Sequence, residues 1–242
     1  FVGDLTNMET SFIFKEFFER TITTNNYESR SSQNFIDNSI RENYLFNSTI
    51  NGIEESDFIL LIGANPRFEA TIVNARIRKA YLNNNIKITS LNDVGDLTYS
   101  YKFLDGKTQT IKDIAENKNE ISKEIIDSKK PMVIFGESFL NTKSANYLFH
   151  SLKNFLLKNN KFNDEWNPLN ILSTNAATVG NFDLDIINQK DDLINDLNKN
   201  KFELIYLLGQ DNLVFNKKNE FVIYQGSHGD KGAEIADIIL PG

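Results

Sequence analysis

The chain reads as α/β with parallel, doubly wound sheets, on three observations: short apolar runs of strand length, helical-period segments between them, and a Gly/Asn-Pro turn that joins one of each. The run from Ile59 to Leu82, ILLIGANPRFEATIVNARIRKAYL, contains all three. Phe58–Ile62 is wholly apolar and ends at Gly63, the pattern of a strand covered on both faces. Asn65-Pro66 then breaks the chain. Beyond the break Ala70, Val73, Ile77, Ala80 and Tyr81 recur at helical spacing, while Asn74, Arg76, Arg78 and Lys79 largely hold the other positions. Glu69 lies in the first turn, where the helix dipole favours an anion. In open α/β sheets such a strand-to-helix junction is where phosphates and dinucleotides bind, although most such turns bind nothing.

Taken in order, residues 8–20 read as a helix and residues 21–33 as a polar loop, the segment expected to move most. Phe58–Ile62 and residues 86–91 are strands around the basic helix, completing a first βαβ unit. Residues 111–128 form one or two charged helices, with a break expected at Lys118 and Asn119. Pro131 introduces a second buried strand, residues 132–135, ending in Gly136. A long helix follows over residues 141–159, with Leu148, Leu152, Phe155 and Leu156 on its apolar face. Residues 191–198 are a shorter helix leading into a strand at Leu204–Leu208, and residues 221–224 and 237–240 supply the last strands. No internal repeat has a fixed period. A boundary, if the chain has one, falls at Lys129 to Pro131, where a charged helix gives way to a new strand. That division gives two Rossmann-like lobes, residues 1–130 and 131–242.

Composition narrows the function classes. A chain of 242 residues can bury a sizeable core. A net charge of -7 with no basic stripe argues against nucleic acid. No apolar stretch approaches the roughly 20 residues that a membrane-spanning helix needs. The first residue is Phe1 rather than Met, so targeting signals cannot be judged from this stretch. There is no cysteine, hence no thiolate to hold an iron-sulfur cluster. His150 and His228 stand apart from any second histidine, so no metal site of usual composition is expected. Heavy use of Asn, Lys, Ile and Phe (19 Phe against 1 Trp) is the skew of an A+T-rich genome and informs origin, not mechanism.

Three turns after strands could carry chemistry: Gly63-Ala64-Asn65-Pro66, Gly136-Glu137-Ser138 and Gly209-Gln210-Asp211-Asn212. Glu137 and Asp211 place carboxylates where a pyrophosphate would approach, and like charges repel. Glu54 and Glu55 are a carboxylate pair by sequence, but neighbours on a helix point apart, so a solvated helix end is expected. Residues 227–232 bring Ser227, His228, Asp230 and Lys231 together, yet two glycines fit a tight turn and no G-x-S-x-G elbow precedes them. Arg76, Arg78 and Lys79 are the first candidates for interface or inter-lobe salt bridges.

The stretch from Tyr44 to Asp96, with GANPRFEA followed by NARIRK, resembles the molybdopterin-oxidoreductase-like region of the large iron-sulfur subunit of respiratory complex I, the proton-pumping NADH:ubiquinone oxidoreductase. The resemblance extends in order through GDLTNMET, PMVIFG, Asn170-Ile171-Leu172, Leu207-Leu208-Gly209 and the closing YQGSHGDKGAEIADIILPG, nearly the whole chain. GANPRFEA with NARIRK is characteristic of that subunit, whereas a closing A-D-I-I-L-P is shared with molybdopterin enzymes such as formate dehydrogenases. In catalytic molybdopterin enzymes the equivalent turns cradle the pterin dinucleotide, which makes Gly63, Asn65, Pro66, Gly136 and Gly209 candidates for a vestigial cofactor loop. In the complex I branch the resemblance implies that the molybdenum cofactor is lost. It therefore implies no catalytic residue, no metal ligand and no cofactor in this stretch, with FMN and iron-sulfur clusters elsewhere in the complex.

The implied partners are other peripheral-arm subunits and the Cys-rich, cluster-bearing N-terminal region of the same subunit, with membrane association only through the complex. The implied location is the matrix side of the mitochondrial inner membrane, or the cytoplasmic face of a bacterial plasma membrane. The family continues beyond I-L-P-G, so the last strand is expected to pair with residues supplied downstream or by another polypeptide. Two alternatives make different demands. A molybdopterin-dependent oxidoreductase of the formate dehydrogenase type requires bound molybdenum and a guanine dinucleotide, and a free-standing nucleotide-binding module requires saturable nucleotide binding. Neither accounts for NPRFEA with NARIRK.

Overall fold

A computed structural model of the protein describes residues 1–31, 35–187, 193–228 and 231–242. The chain divides into two compact units, Asn34–Thr174 and the pair of segments Phe1–Gln33 with Asn175–Gly242. Each has a parallel sheet, so the α/β class read from the sequence holds.

In the Asn34–Thr174 unit, strands β1 (Phe58–Ile62), β2 (Lys87–Ser90), β3 (Lys102–Phe103), β4 (Pro131–Phe135) and β5 (Leu169–Ile171) lie in the order β3-β2-β1-β4-β5, all parallel. Alternation along the central strand divides the core into two layers. Phe58, Leu60 and Ile62 join Val133 and Phe135 under the helices Thr108–Ala115, Glu120–Asp127 and Ala145–Lys158. Ile59 and Leu61 join Met132 and Ile134 against the helix Thr71–Asn84 and Trp166. Every β1 side chain is buried, each contributing roughly 1.5–3 kcal/mol relative to exposure. Chain order reverses between β1 and β4, so their carboxyl ends flank a topological switch point.

The expected break between the charged helices lies where Asn117 turns left-handed at φ 59° and the Asn119 side chain accepts from Ile121 N at 3.0 Å. Asparagine tolerates both roles, an αL stop and an N-cap.

The lobe boundary expected at Lys129 to Pro131 falls inside this unit instead. β4 pairs with β1 along its full length, from Phe58 with Pro131 to Ile62 with Phe135. The Asp57 carboxylate clasps the turn before β4, accepting from the Ser128 hydroxyl, from Lys129 N at 2.7 Å and from Lys130 N at 3.0 Å. Burial pushes the Asp57 carboxyl up, but these donors outweigh it and hold it below its ordinary value of 3.8. A lowered carboxyl contributes stability above its ordinary value, and that contribution is lost as pH falls through the folded value. Asp57→Asn should therefore lower the urea midpoint at neutral pH and flatten its fall in acid, as equilibrium unfolding across pH would record.

The other unit gathers both ends of the chain. Its strands β6 (Leu204–Leu208), β7 (Phe221–Gly226) and β8 (Ile238–Pro241) are parallel in that order. The first residues run beside β6: Leu208 N donates to Phe1 O at 2.9 Å and Gly3 N to Leu208 O at 2.8 Å. The helix Met8–Phe17 follows, and Phe14 meets Tyr206 edge-on with ring centroids 5.3 Å apart. The expected helix over residues 8–20 thus stops at Phe17 and continues as the π-helical Phe18–Ile22.

Within residues 21–31, read as part of a mobile loop, the stretch around Glu28 is bonded to the rest of its unit. Glu28 is fully buried, its Oε1 accepting from Ser29 N and Arg30 N, and its Oε2 from Arg30 Nη2 at 2.6 Å. Val2 N donates to Glu28 O at 2.9 Å, joining this segment to the first residues. Residues 32 and 33 of that loop lie outside the described residues. Of the helix expected over residues 191–198, Leu193–Asn198 is helical, and residues 191 and 192 lie outside the described residues. β8 is an apolar edge, with Ile238, Ile239 and Leu240 all exposed.

Candidate functional site

The site to test is the switch point between β1 and β4, where the turns at Gly63 and Gly136 meet. Gly63 takes φ 63°, a left-handed conformation natural to glycine. Its carbonyl lies so close to Gly136 that a Cβ there would stand 2.2 Å from Gly63 O and 2.5 Å from Ala64 Cα. A Cβ on Gly63 would stand 2.4 Å from Phe139 N. Ser138 Oγ donates to Gly63 O at 2.7 Å, and Gly136 N to Ile62 O at 2.9 Å. Both glycines thus serve contact between two backbones, which leaves no cradle for a ligand between them.

Donors of the Gly63 turn are committed within the fold. Gly63 N donates to Asn92 Oδ1 at 3.2 Å, Asn65 N donates to Glu69 Oε2 at 3.0 Å, and Pro66 has no N–H. Asn65 Nδ2 donates to Val94 O at 3.1 Å, while its Oδ1 is buried with no donor facing it. An orphaned acceptor calls for a donor, and an ionised phosphate offers acceptors.

Charge points the same way. Desolvation raises the Glu69 carboxyl above its ordinary value, the Asn65 N–H partly offsets this, and the nearby Glu137 charge adds to it. Glu137 Oε1 accepts from the Thr174 hydroxyl. A pyrophosphate would meet two carboxylates here. The residues at this crevice do not fit a pterin dinucleotide. Because a raised carboxyl takes up its proton more readily in the folded state, its ionisation costs stability as pH rises from 4.5 through the folded value. Glu69→Gln should remove that decline, seen as a flatter melting temperature against pH over the same window.

The third turn belongs to the other unit and is filled by the chain's first residues. Gly209 sits at φ 56°, its N donates to Gln225 O at 2.7 Å, and a Cβ on Gly3 would stand 1.6 Å from Gly209 O. Gln210, buried, donates from Nε2 to Val2 O at 3.2 Å, and Asn212 Nδ2 donates to Asp4 Oδ2 at 2.7 Å. The Tyr224 hydroxyl donates toward Asp211 Oδ2 at 3.3 Å.

The remaining candidates scatter. Glu54 and Glu55 diverge, Glu54 binding Arg76 and, at 2.7 Å, Lys79, and Glu55 binding Lys130 at 2.5 Å. Arg76 and Lys79 pair with Glu54 inside their own unit, and among the described residues Arg78 donates to Thr98 O at 3.4 Å. Ser227 Oγ lies 2.9 Å from His228 Nδ1, and residues 229 and 230 of that segment lie outside the described residues. Among the described residues no three of His, Cys, Asp and Glu are grouped to hold a metal ion, and no helix is long and apolar enough to cross a membrane. Two roles were not foreseen, the Ser138 hydroxyl as a donor to Gly63 O and Glu69 as a cap on Asn65 N. The latter had a signal in the carboxylate four positions after Asn65.

A parallel sheet with its chain reversal between β1 and β4, and glycine turns at both carboxyl ends, defines the doubly wound class of α/β protein whose members bind dinucleotides at that crevice. Residues 1–242 match the molybdopterin oxidoreductase family model throughout, and the chain belongs to that family. It is 35% identical over 256 residues to the NADH-ubiquinone oxidoreductase 75 kDa subunit of Reclinomonas americana, an alignment covering 100% of this chain and 37% of that protein. It is 37% identical to the mitochondrial NADH-ubiquinone oxidoreductase 78 kDa subunit of Candida albicans, over 99% of this chain and 33% of the relative. It is 35% identical to an NADH-quinone oxidoreductase subunit of Rickettsia bellii, over 100% of this chain and 34% of the relative. The chain spans about a third of the length of these curated relatives.

Proposed function

We propose that the chain is the molybdopterin-oxidoreductase-like part of the large iron-sulfur subunit of a proton-pumping NADH:ubiquinone oxidoreductase, acting there as a folded platform without a redox centre of its own. The observation that carries this is identity of 35% or more along essentially the full chain to relatives named as subunits of that enzyme. The switch point supports the second half of the reading, because its two turns pack backbone against backbone and carboxylates stand where a pyrophosphate would lie. On this reading FMN and the iron-sulfur clusters sit elsewhere in the complex. The platform fixes the cluster-bearing region of the subunit and offers surface to neighbouring peripheral-arm subunits. Its location is then the matrix side of the mitochondrial inner membrane, or the cytoplasmic face in a bacterium. The formate dehydrogenase alternative is not favoured by the relatives found.

A native gel of gently solubilised membranes, stained for NADH dehydrogenase activity and probed for this chain, tests the assembly. Co-migration with a very large active band is expected. Migration as a small species away from that band would refute it.

A further inference from the structure

The helix Thr71–Asn84 buries one side, through Val73, Asn74, Ile77 and Ala80, and on the other exposes the apolar Ile72, Ala75 and Leu82 around Lys79, which pairs with Glu54. Ile72 is 67% exposed and Leu82 63% exposed, with Ala75 and Lys79 also exposed between them. Residues 72, 75, 79 and 82 are spaced by three, four and three, the seam of a helix that packs against another helix. The seam runs roughly 15 Å at the α-helical rise, and the small Ala75 within it permits close backbone approach. Phe68, 80% exposed in the preceding turn Pro66–Glu69, adds apolar surface at the amino end.

Charge identifies the occupant. The helix carries Arg76, Arg78 and Lys79 and no carboxylate, in a chain of net charge -7. Arg76 and Lys79 share the single carboxylate of Glu54, and among the described residues Arg78 has no carboxylate partner. A second copy docked symmetrically on this seam would set the same cations against each other. A membrane surface is disfavoured because the chain as a whole is acidic and anionic headgroups would repel it. We propose that this seam docks an amphipathic helix of a partner subunit, with apolar residues at three- and four-residue spacing and carboxylates on the flank facing Arg78. The proposal deepens, and rests on, the reading of the chain as one subunit of an assembly.

The test places a photo-cross-linking p-benzoylphenylalanine at position 72 of the chain in its native complex, with a native activity gel run in parallel. The expected product is one dominant adduct mapping to an acidic amphipathic segment of another subunit. It should weaken about tenfold with Leu82→Glu, and with Arg78→Glu. Reversing the facing carboxylate to lysine should restore the Arg78→Glu adduct. An adduct to lipid, to a second copy, to another stretch of the same polypeptide or to a segment without carboxylates overturns the proposal, as does no adduct in complexes that still co-migrate with the active band. Loss of the chain from that band refutes the assembly reading instead.

Discussion

Gly136→Ala should destabilise the Asn34–Thr174 unit by about 3 kcal/mol, at the upper end of what overpacking a core costs. The added methyl would stand 2.2 Å from Gly63 O and 2.5 Å from Ala64 Cα, and both are main-chain atoms of the turn that ends the central strand. No side chain can swing aside to relieve the clash. Gly136 has φ -102°, which alanine adopts freely, so the whole effect is crowding. Gly95→Ala supplies the contrast, because Gly95 sits at φ 71° with nothing within 4 Å of an added Cβ. Its cost is backbone strain alone, about 1 kcal/mol. Urea unfolding of the two variants separates the effects, and a Gly136→Ala midpoint equal to that of the parent chain would mean that the turns do not touch.

Glu28→Ala is expected to cost about 3 kcal/mol, because it removes a wholly buried carboxylate and the charge-assisted hydrogen bonds that it accepts. Glu28 is wholly buried, and its carboxylate accepts from two main-chain N–H groups and from both Nε and Nη2 of Arg30. Glu28→Gln should fall between, keeping an acceptor for Ser29 N and Arg30 N while losing the charge. Glu54→Ala offers the comparison nearer the surface. Its partners Arg76 and Lys79 remain hydrated after the change, so the loss should be much the smaller of the two. Thermal unfolding of the three variants orders them, and Glu28→Ala equal to Glu54→Ala would contradict the buried clasp.

The parts legible in the sequence were those whose signal is local. β1, β2 and β4 announce themselves as apolar runs, and the break before Glu120–Asp127 is written in Asn117 and Asn119. β3 and β5, of two and three residues, are too short for any period to register, and their strand character comes from neighbours. The grouping of Phe1–Gln33 with Asn175–Gly242 rests on pairings such as Phe1 with Leu208, invisible to a reading that moves along the chain. That is why a plausible boundary at Lys129 to Pro131 proved to lie between two paired strands. At the candidate site, Gly63, Asn65, Pro66, Gly136 and Gly209 were located as turn residues by type alone. What each turn does was not legible, because the state of Gly63 depends on Gly136 and that of Gly209 on Gly3. Glu69 was read as a residue suited to a helix start. In the fold it takes the Asn65 N–H that an anion would need.

The central claim is that this doubly wound unit serves as a platform with its switch point closed. The most direct measurement is the molybdenum and pterin content per copy of this chain in the purified complex, by elemental analysis and by fluorescence of the oxidised pterin. The account predicts neither, with NADH dehydrogenase activity intact. Near-stoichiometric pterin, retained after gel filtration, would contradict it.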